Sequence, residues 1–282
     1  MKTGCKYLAT VALGVAFLAI AHAVDIPRLG AVYYGQILSP YGNPCSAGDG
    51  VRLSTVKTNG TVAAYVDIGS TLGPGINYRL QVDYVASGSS IDGTSVSEGG
   101  TIHLQATLGS QPINIIGQTN IVVSSGVVSN MFLVLGTDVN GDGLPDEWQQ
   151  MVIDAMNALG MTNAPASLAQ FNANSDYDSD GVNNRNEFLA GTLPFLASDY
   201  PRIQKLSLDP RGKYVITLFG NDGFNYQIHT SSDPMTGSWD VTQFATNGAA
   251  TQAQSLLHGA NAMQDLYFPT NGLREFIRLI VK

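Results

Sequence analysis

Cysteine is nearly absent from this chain, with two in 282 residues. Cys5 lies in the N-terminal apolar stretch, so a chain trimmed there keeps Cys45 alone. An intrachain disulfide is then excluded, and Cys45 reads as a small buried residue, with pairing to another chain as the alternative. Histidine is as scarce, at four. His103, His229 and His258 are scattered without ligand spacing and read as strand or loop residues. Charged residues make up 13% of the chain, with 14 Lys and Arg against 22 Asp and Glu and a net charge of −8. So few cations argue against nucleic acid or an anionic membrane surface as partner. There is no Gly-x-Ser-x-Gly elbow, no His-Glu-x-x-His, no P-loop and no dinucleotide glycine fingerprint. Asp67 and Asp83 read as edge or outward-facing strand residues rather than as a pair flanking a glycosidic bond. The chain is read as non-catalytic.

Long apolar runs are also missing. The longest, residues 7–20, is shorter than the ~20 residues that a bilayer span needs. With Lys2 and Lys6 before it and Ala21-His22-Ala23 after it, residues 1–23 read as a cleavable export signal, an uncleaved anchor being the rival reading. The expectation is an extracellular or cell-surface protein whose mature chain has no membrane span.

What the chain has in abundance is acid at fixed spacing. Residues 138–149 run Asp138-Val-Asn140-Gly-Asp142-Gly143-Leu144-Pro-Asp146-Glu147-Trp148-Gln149, and residues 176–187 run Asp176-Tyr-Asp178-Ser-Asp180-Gly181-Val182-Asn-Asn184-Arg-Asn-Glu187. Both place side-chain oxygens at loop positions one, three, five and nine, and glycine at six. That is the layout of a calcium loop, in which the backbone carbonyl at seven (Leu144, Val182) and a bidentate carboxylate at twelve complete the oxygen shell. Glu187 supplies that carboxylate in the second loop, whereas Gln149 offers a single neutral oxygen in the first. A solvated turn would explain one such stretch, but two in register are hard to obtain from turn chemistry alone. Carboxylates this crowded also repel, by about 4 kcal/mol per pair at ~4 Å and an effective dielectric of 20, unless a cation sits among them. Calcium is the implied ligand, held by Asp138, Asn140, Asp142, Leu144, Asp146 and Gln149 in one loop and by Asp176, Asp178, Asp180, Val182, Asn184 and Glu187 in the other.

The flanks of the loops distinguish them from an EF-hand. Residues 131–136 read as a strand where an entering helix would stand. After the first loop, Trp148, Met151, Val152, Ala155, Met156 and Leu159 fall on one apolar helix face, with Asp146 and Glu147 in the first turn and Gly160 placed to cap the end. A shorter helix, 187–190, follows the second loop and is closed by Gly191. Trp148 and Phe188 are expected to seal the two halves together. The phrases Asp142-Gly-Leu-Pro-Asp-Glu-Trp148 and Asn186-Glu-Phe-Leu-Ala-Gly-Thr192 resemble the paired calcium repeats of the thrombospondin type 3 and dockerin families in secreted bacterial proteins. The resemblance covers about a fifth of the chain and departs from the pattern at Gln149. It implies a calcium-bound spacer or docking element.

On either side the punctuation is all-β. Runs at 31–34, 62–66, 78–84, 102–106 and 121–123, and again at 203–208, 214–219, 224–230, 239–244, 266–268 and 275–281, are β-branched or alternating. Gly, Pro, Asn and Ser clusters separate them at roughly 8–12-residue intervals. Asn221-Asp-Gly223 reads as a hairpin turn. Tyr34-Gly-Gln-Ile-Leu38, Gly42-Asn-Pro44 and Val51-Arg-Leu53 loosely resemble the opening of prealbumin-like or immunoglobulin-like modules. Residues 226–233, Trp239 and Phe276-Ile-Arg278 resemble the small sandwich that follows such repeats. The expected fold is mainly β: a β-sandwich at 24–136, a loop–helix calcium module at 137–191, a linker at 192–199 and a second β-sandwich at 200–282. The expected role is a secreted or surface-attached structural or adhesion module stiffened by calcium. The alternative is a polysaccharide- or scaffold-binding module, for which Tyr33, Tyr34, Tyr41, Tyr65, Tyr78 and Tyr84 are candidate contact aromatics; a secreted hydrolase is a third.

Overall fold

The computed structural model describes residues 30–69, 72–73, 75–85, 93–235, 238–269 and 276–281. The export-signal reading lies outside the described residues. The fold is mainly β, with two α-helices between two groups of strands. No helix among the described residues is long and apolar enough to cross a membrane.

The N-terminal strands form because their apolar residues alternate. Val51, Leu53 and Thr55 are buried along Val51–Lys57, Tyr78, Leu80 and Val82 along Tyr78–Val82, and Ile102, Leu104 and Ala106 along Thr101–Leu108. One sheet is built on Thr101–Leu108 paired antiparallel with Val51–Lys57, which in turn pairs with Val62–Asp67. In another, Ala31–Gly35 lies antiparallel to Tyr78–Val82 and parallel to Val128–Asn130. A third places Leu133–Leu135 between Ile37–Leu38, parallel, and Ile115–Ile116, antiparallel. Ile37, Leu53, Tyr78, Leu80, Leu104 and Leu135 bring all three sheets into one core.

Leu133–Leu135 carries the chain directly into the helical segment, and that segment is packed on the strands rather than strung beyond them. Leu38 and Val134 belong to the same buried cluster as Leu144, Trp148, Val152, Ile153, Met156, Phe171 and Phe188. The first helix, α1, spans Asp146–Ala158, and the second, α2, spans Asn184–Ala190. Asp146 and Glu147 stand in the first turn of α1, where the helix end is positive. Asn183 caps α2 by accepting from the Asn186 N–H at 2.9 Å, and Gly191 closes it in the left-handed region at φ 65°. The buried face of α1 differs from the expected one: it carries Trp148, Gln149, Val152, Ile153 and Met156, while Met151 and Leu159 are exposed. The rotation has a cause, because Gln149 must point inward to the first loop. Between the loops lies a 3-10 turn, Leu168–Gln170. Phe195 of the expected linker packs against the helical cluster.

The C-terminal strands make two antiparallel sheets. Tyr214–Gly220 lies between Ile203–Leu208 and Ala262–Phe268, and Asn225–Ser231 pairs with Phe276–Val281, Leu257–His258 and Asp240–Val241. Ile216, Leu218, Leu266 and Phe268 from the first sheet meet Tyr226, Ile228 and Leu257 from the second in one core. Two expectations fail here. Residues 239–244 form only the short strand Asp240–Val241, because Phe244 leaves the ladder to become fully buried in that core. Nor is Asn221-Asp-Gly223 a hairpin: Tyr214–Gly220 is already paired along both edges, so the next strand must join the other sheet.

The turn is instead a corner between the sheets, and it clasps α2. The Asn221 side-chain amide donates to the carbonyls of Ala190 and Gly191, each at 3.1 Å. Phe224 lies flat against Gly191, where an added Cβ would stand 2.2 Å from a ring carbon. Gly191→Ala therefore meets two obstacles, a left-handed backbone and a filled space, and should cost about 1–3 kcal/mol. Urea unfolding of the whole protein measures it; a variant with an unchanged midpoint would show that the corner does not grip the helix.

Candidate metal centre

The two acidic loops adopt the same backbone path. In the first, the Asp138 carboxylate accepts from the N–H groups of Asp142 at 3.1 Å and Gly143 at 2.9 Å. In the second, Asp176 accepts from Asp180 at 3.3 Å and Gly181 at 2.9 Å. The fifth-position carboxylates match as well, Asp142 accepting from Leu144 at 2.9 Å and Asp180 from Val182 at 2.8 Å. Short-range bonds of this kind, an acid to the backbone a few residues on, are what Asp does in turns. They position the carboxylates without using all of their oxygens.

The loops differ in what the remaining oxygens meet. In the first, the Gln149 amide donates to Asp142 Oδ2 at 2.7 Å, and the Asn140 amide reaches the same oxygen at 3.1 Å and Gln149 Oε1 at 3.3 Å. Asp146 accepts, at long range, from the Val139 N–H at 3.3 Å. Glu147 is turned away to accept from the Thr137 N–H at 3.0 Å and the Thr137 hydroxyl at 3.0 Å. The first loop thus satisfies itself with neutral amides.

The second loop does not. Asp178 Oδ2, Asp180 Oδ2, Asn184 Oδ1 and both Glu187 oxygens are buried without a hydrogen-bond partner. Glu187 is 0% exposed, as is Asn184, whose amide nitrogen is fixed on the Asn172 carbonyl at 2.7 Å. Carboxylate oxygens of Asp176, Asp178 and Asp180 lie within 4.8 Å of one another. Burial pushes the Glu187 carboxyl up to about 9, with the negative charges of Asp178, Asp180, Asp176 and Asp199 adding to it. Burial and neighbouring carboxylates also raise Asp178 and Asp180. A buried acceptor without a donor costs about 1–3 kcal/mol, and more when charged. The cluster of Asp176, Asp178 and Asp180 could hold a metal ion, and carboxylate and amide oxygens are the donors that a hard cation takes.

The chain matches no protein-family model and no curated protein. The arrangement therefore has to be read from its own residues.

Of the expected ligands, Asp176, Asp178 and Asp180 gather their carboxylates, and the buried Glu187, three residues after the buried Asn184 on α2, feels the charge of all three. Asp138, Asn140, Asp142 and Gln149 are brought together but are bonded to one another or to the backbone, and Asp146 stands across from them on the Val139 N–H. At the seventh positions, the N–H groups of Leu144 and Val182 are bonded to Asp142 and Asp180. Three residues went unassigned from sequence. Asp199, in the supposed linker, returns close enough to add its charge to Glu187 and Asp180; no local spacing announces it. Arg185 crosses between the loops, its guanidinium donating to the Asp142 carbonyl and resting on Gly143. Ser179 holds a left-handed backbone at φ 64°, which lets Asp176 reach the Ser179 N–H at 2.7 Å. Trp148 does join the halves, its ring meeting Phe188 at 5.1 Å and Phe171 at 5.8 Å, both edge-to-face.

The position of Glu187 fixes a pH dependence for the protein without a cation. Its folded value, about 9, lies above the ordinary 4.5, so the folded state binds the proton more tightly. Stability contributed by the protonated acid is complete at pH 4 and is lost as pH rises from about 4.5 toward 9. Thermal melts in chelator across that range should show a falling midpoint, and Glu187→Gln should flatten the fall. Parallel profiles for the two proteins would mean that Glu187 titrates normally.

Proposed function

We propose that the protein is a calcium-binding, non-catalytic structural or adhesion module that works outside the cell, in which the ion closes the second loop and stiffens the segment between the two groups of β-strands. The reading rests above all on Glu187, a fully buried carboxylate with both oxygens unpartnered beside Asp178 and Asp180. A cation among these groups would let Glu187 ionise and would offset the repulsion between the four carboxylates. Calcium suits the set better than magnesium, because a bidentate acid and a wide shell of oxygens are a calcium geometry, whereas magnesium demands a tight octahedron.

The surroundings explain how an ion could be felt beyond its own loop. Glu187 stands in the middle of α2, and the last carbonyls of α2 are held by Asn221 of the C-terminal strands. Phe188, the next residue, packs on Trp148 of α1. Closing the loop would therefore fix one helix that touches both neighbours. A scaffold-docking role has less support, since the helices have 13 and 7 residues and present no self-similar face. The aromatic platform also loses members, because Tyr33, Tyr78 and Tyr84 are core residues and Arg52 lies over the Tyr65 ring.

Two measurements test the reading. At an affinity of ~10⁻⁴ to 10⁻³ M and calcium near ~1 mM, one site adds about 0.4–1.4 kcal/mol. The gain should appear locally, as protection of residues 164–174 from proteases in calcium and its loss on chelation. Calorimetry should find the site abolished in Glu187→Gln; a wild-type protein that takes up no calcium at ~10 mM would refute the proposal. The loops should also fill unequally. Replacing Gln149→Glu restores a charged, two-oxygen group to the first loop and should tighten calcium binding there by about tenfold, a change of about 1.4 kcal/mol. If calorimetry shows both affinities unaltered, Gln149 does not face an ion.

A further inference from the structure

The N-terminal and C-terminal strands do not meet flush. Between them lies a cleft of about 640 Å³ whose walls include Gln36, Asn77, Asp222 and His258, and a second space of about 670 Å³ adjoins it, walled by Tyr34, Asn130, Phe132, Asn225 and Gln227. The two share Gln36, Gly75, Ile76 and His258, so they are limbs of one groove. Size and position, between two bodies of the fold, are those of a ligand site.

The chemistry of the lining is selective. Among the described residues it contains no lysine or arginine, and Asp222 is its single ionisable acid. Its polar groups are neutral amides: Gln36, Asn77, Asn130, Asn225 and Gln227. His258 joins them, its Nδ1 on Asn225 Oδ1, and burial lowers its proton affinity. Gln36 is 4% exposed and stands where the limbs meet; its amide nitrogen donates to the Gly223 carbonyl, while its Oε1 is buried without a partner. That oxygen is an acceptor waiting for a donor. Phe132 is 42% exposed at the second limb, and Tyr34 is half-buried beside it. Gly69 and Gly73 leave part of the first limb's wall without side chains, so a ligand can approach the backbone there, whereas the space beside Gly75 and Gly259 is filled by the Asn225 side chain and the Asn221 carbonyl.

An anion finds no cation here, and a cation finds only one solvent-exposed acid. Each of three amides keeps one group for a ligand. Asn225, whose Oδ1 meets His258 Nδ1, and Gln227, whose Oε1 meets His229 Nε2 at 3.2 Å, keep their NH2 donors, and Gln36 keeps its acceptor Oε1. The three together supply the donors and the acceptor that sugar hydroxyls require. A ring face beside them suits the apolar face of a sugar ring. We propose that this groove binds a neutral oligosaccharide, with Gln36, Asn225 and Gln227 bonding its hydroxyls and Phe132 covering a ring face. The proposal stands without the calcium reading, as no proposed metal ligand lines the groove.

The test is calorimetric titration of the whole protein with neutral hexasaccharides of glucose, mannose, xylose and N-acetylglucosamine, and with oligogalacturonate as the anionic control, each in calcium and in chelator. At least one neutral sugar should bind and the uronate should not. Phe132→Ala and Gln227→Ala should each weaken that binding about tenfold, equivalent to about 1.4 kcal/mol. Both side chains reach the surface of the groove, so the variants should keep the parent's melting temperature. Failure of all four neutral sugars, preference for the uronate, or binding that ignores both substitutions would each overturn the proposal. Loss of calcium binding with sugar binding intact would strike the metal reading and leave this one standing.

Discussion

Carboxylates tolerate close company only when something neutralises them, and the middle of this chain is arranged around that constraint. Asp176, Asp178 and Asp180 are gathered by their own backbone N–H groups, and Glu187 is then buried against them by the helix it belongs to. Among the described residues, neither Glu187 oxygen has a hydrogen-bond donor. The first loop shows the other solution to the same problem. There Gln149 replaces the acid and Asn140 turns its amide inward, so that Asp142 is satisfied within the protein. Two changes of side chain, acid to amide at the third and twelfth positions, separate a self-sufficient loop from one with an unmet electrostatic demand.

The hydrophobic contacts follow from this arrangement. Each loop delivers an aromatic residue at or just beyond its closing position, Trp148 in one and Phe188 in the other, and the rings meet edge-to-face. Leu38 and Val134 extend that cluster into the N-terminal strands, and Asn221 and Phe224 extend the grip of α2 into the C-terminal ones. Arg185 ties the second loop back to the first. The helical segment is a shared wall between its neighbours.

Much of this was legible in the residues. Periodicity placed the first helix, and the second, expected over 187–190, starts earlier at Asn184. The alternation of Tyr78, Leu80 and Val82 or of Ile102, Leu104 and Ala106 placed the strands, because local spacing decides which face is buried. The loop pattern singled out Asp176, Asp178 and Asp180, which the fold brings together. What escaped was set at a distance. Asn221-Asp-Gly223 has hairpin composition but serves as a corner, since the pairing of Tyr214–Gly220 on both edges is fixed by strands far along the chain. The face of α1 turned because a polar residue, Gln149, is required inside, which no hydrophobic count can anticipate. Asp199 joins the acidic group by a fold-back of the segment after Gly191, and Gln36 gains its role only when Gly223 arrives beside it.

The strand Leu133–Leu135 has a mechanical meaning. It leads straight into the first loop while lying parallel to Ile37–Leu38 and antiparallel to Ile115–Ile116. A tug transmitted from the helical segment would run along this strand, so the interstrand bonds on both flanks would be sheared together instead of opening one after another. Beyond it, the cluster around Trp148 would have to slide as a block over Leu38 and Val134. The chain thus leaves its first group of strands through the kind of anchorage that resists extension.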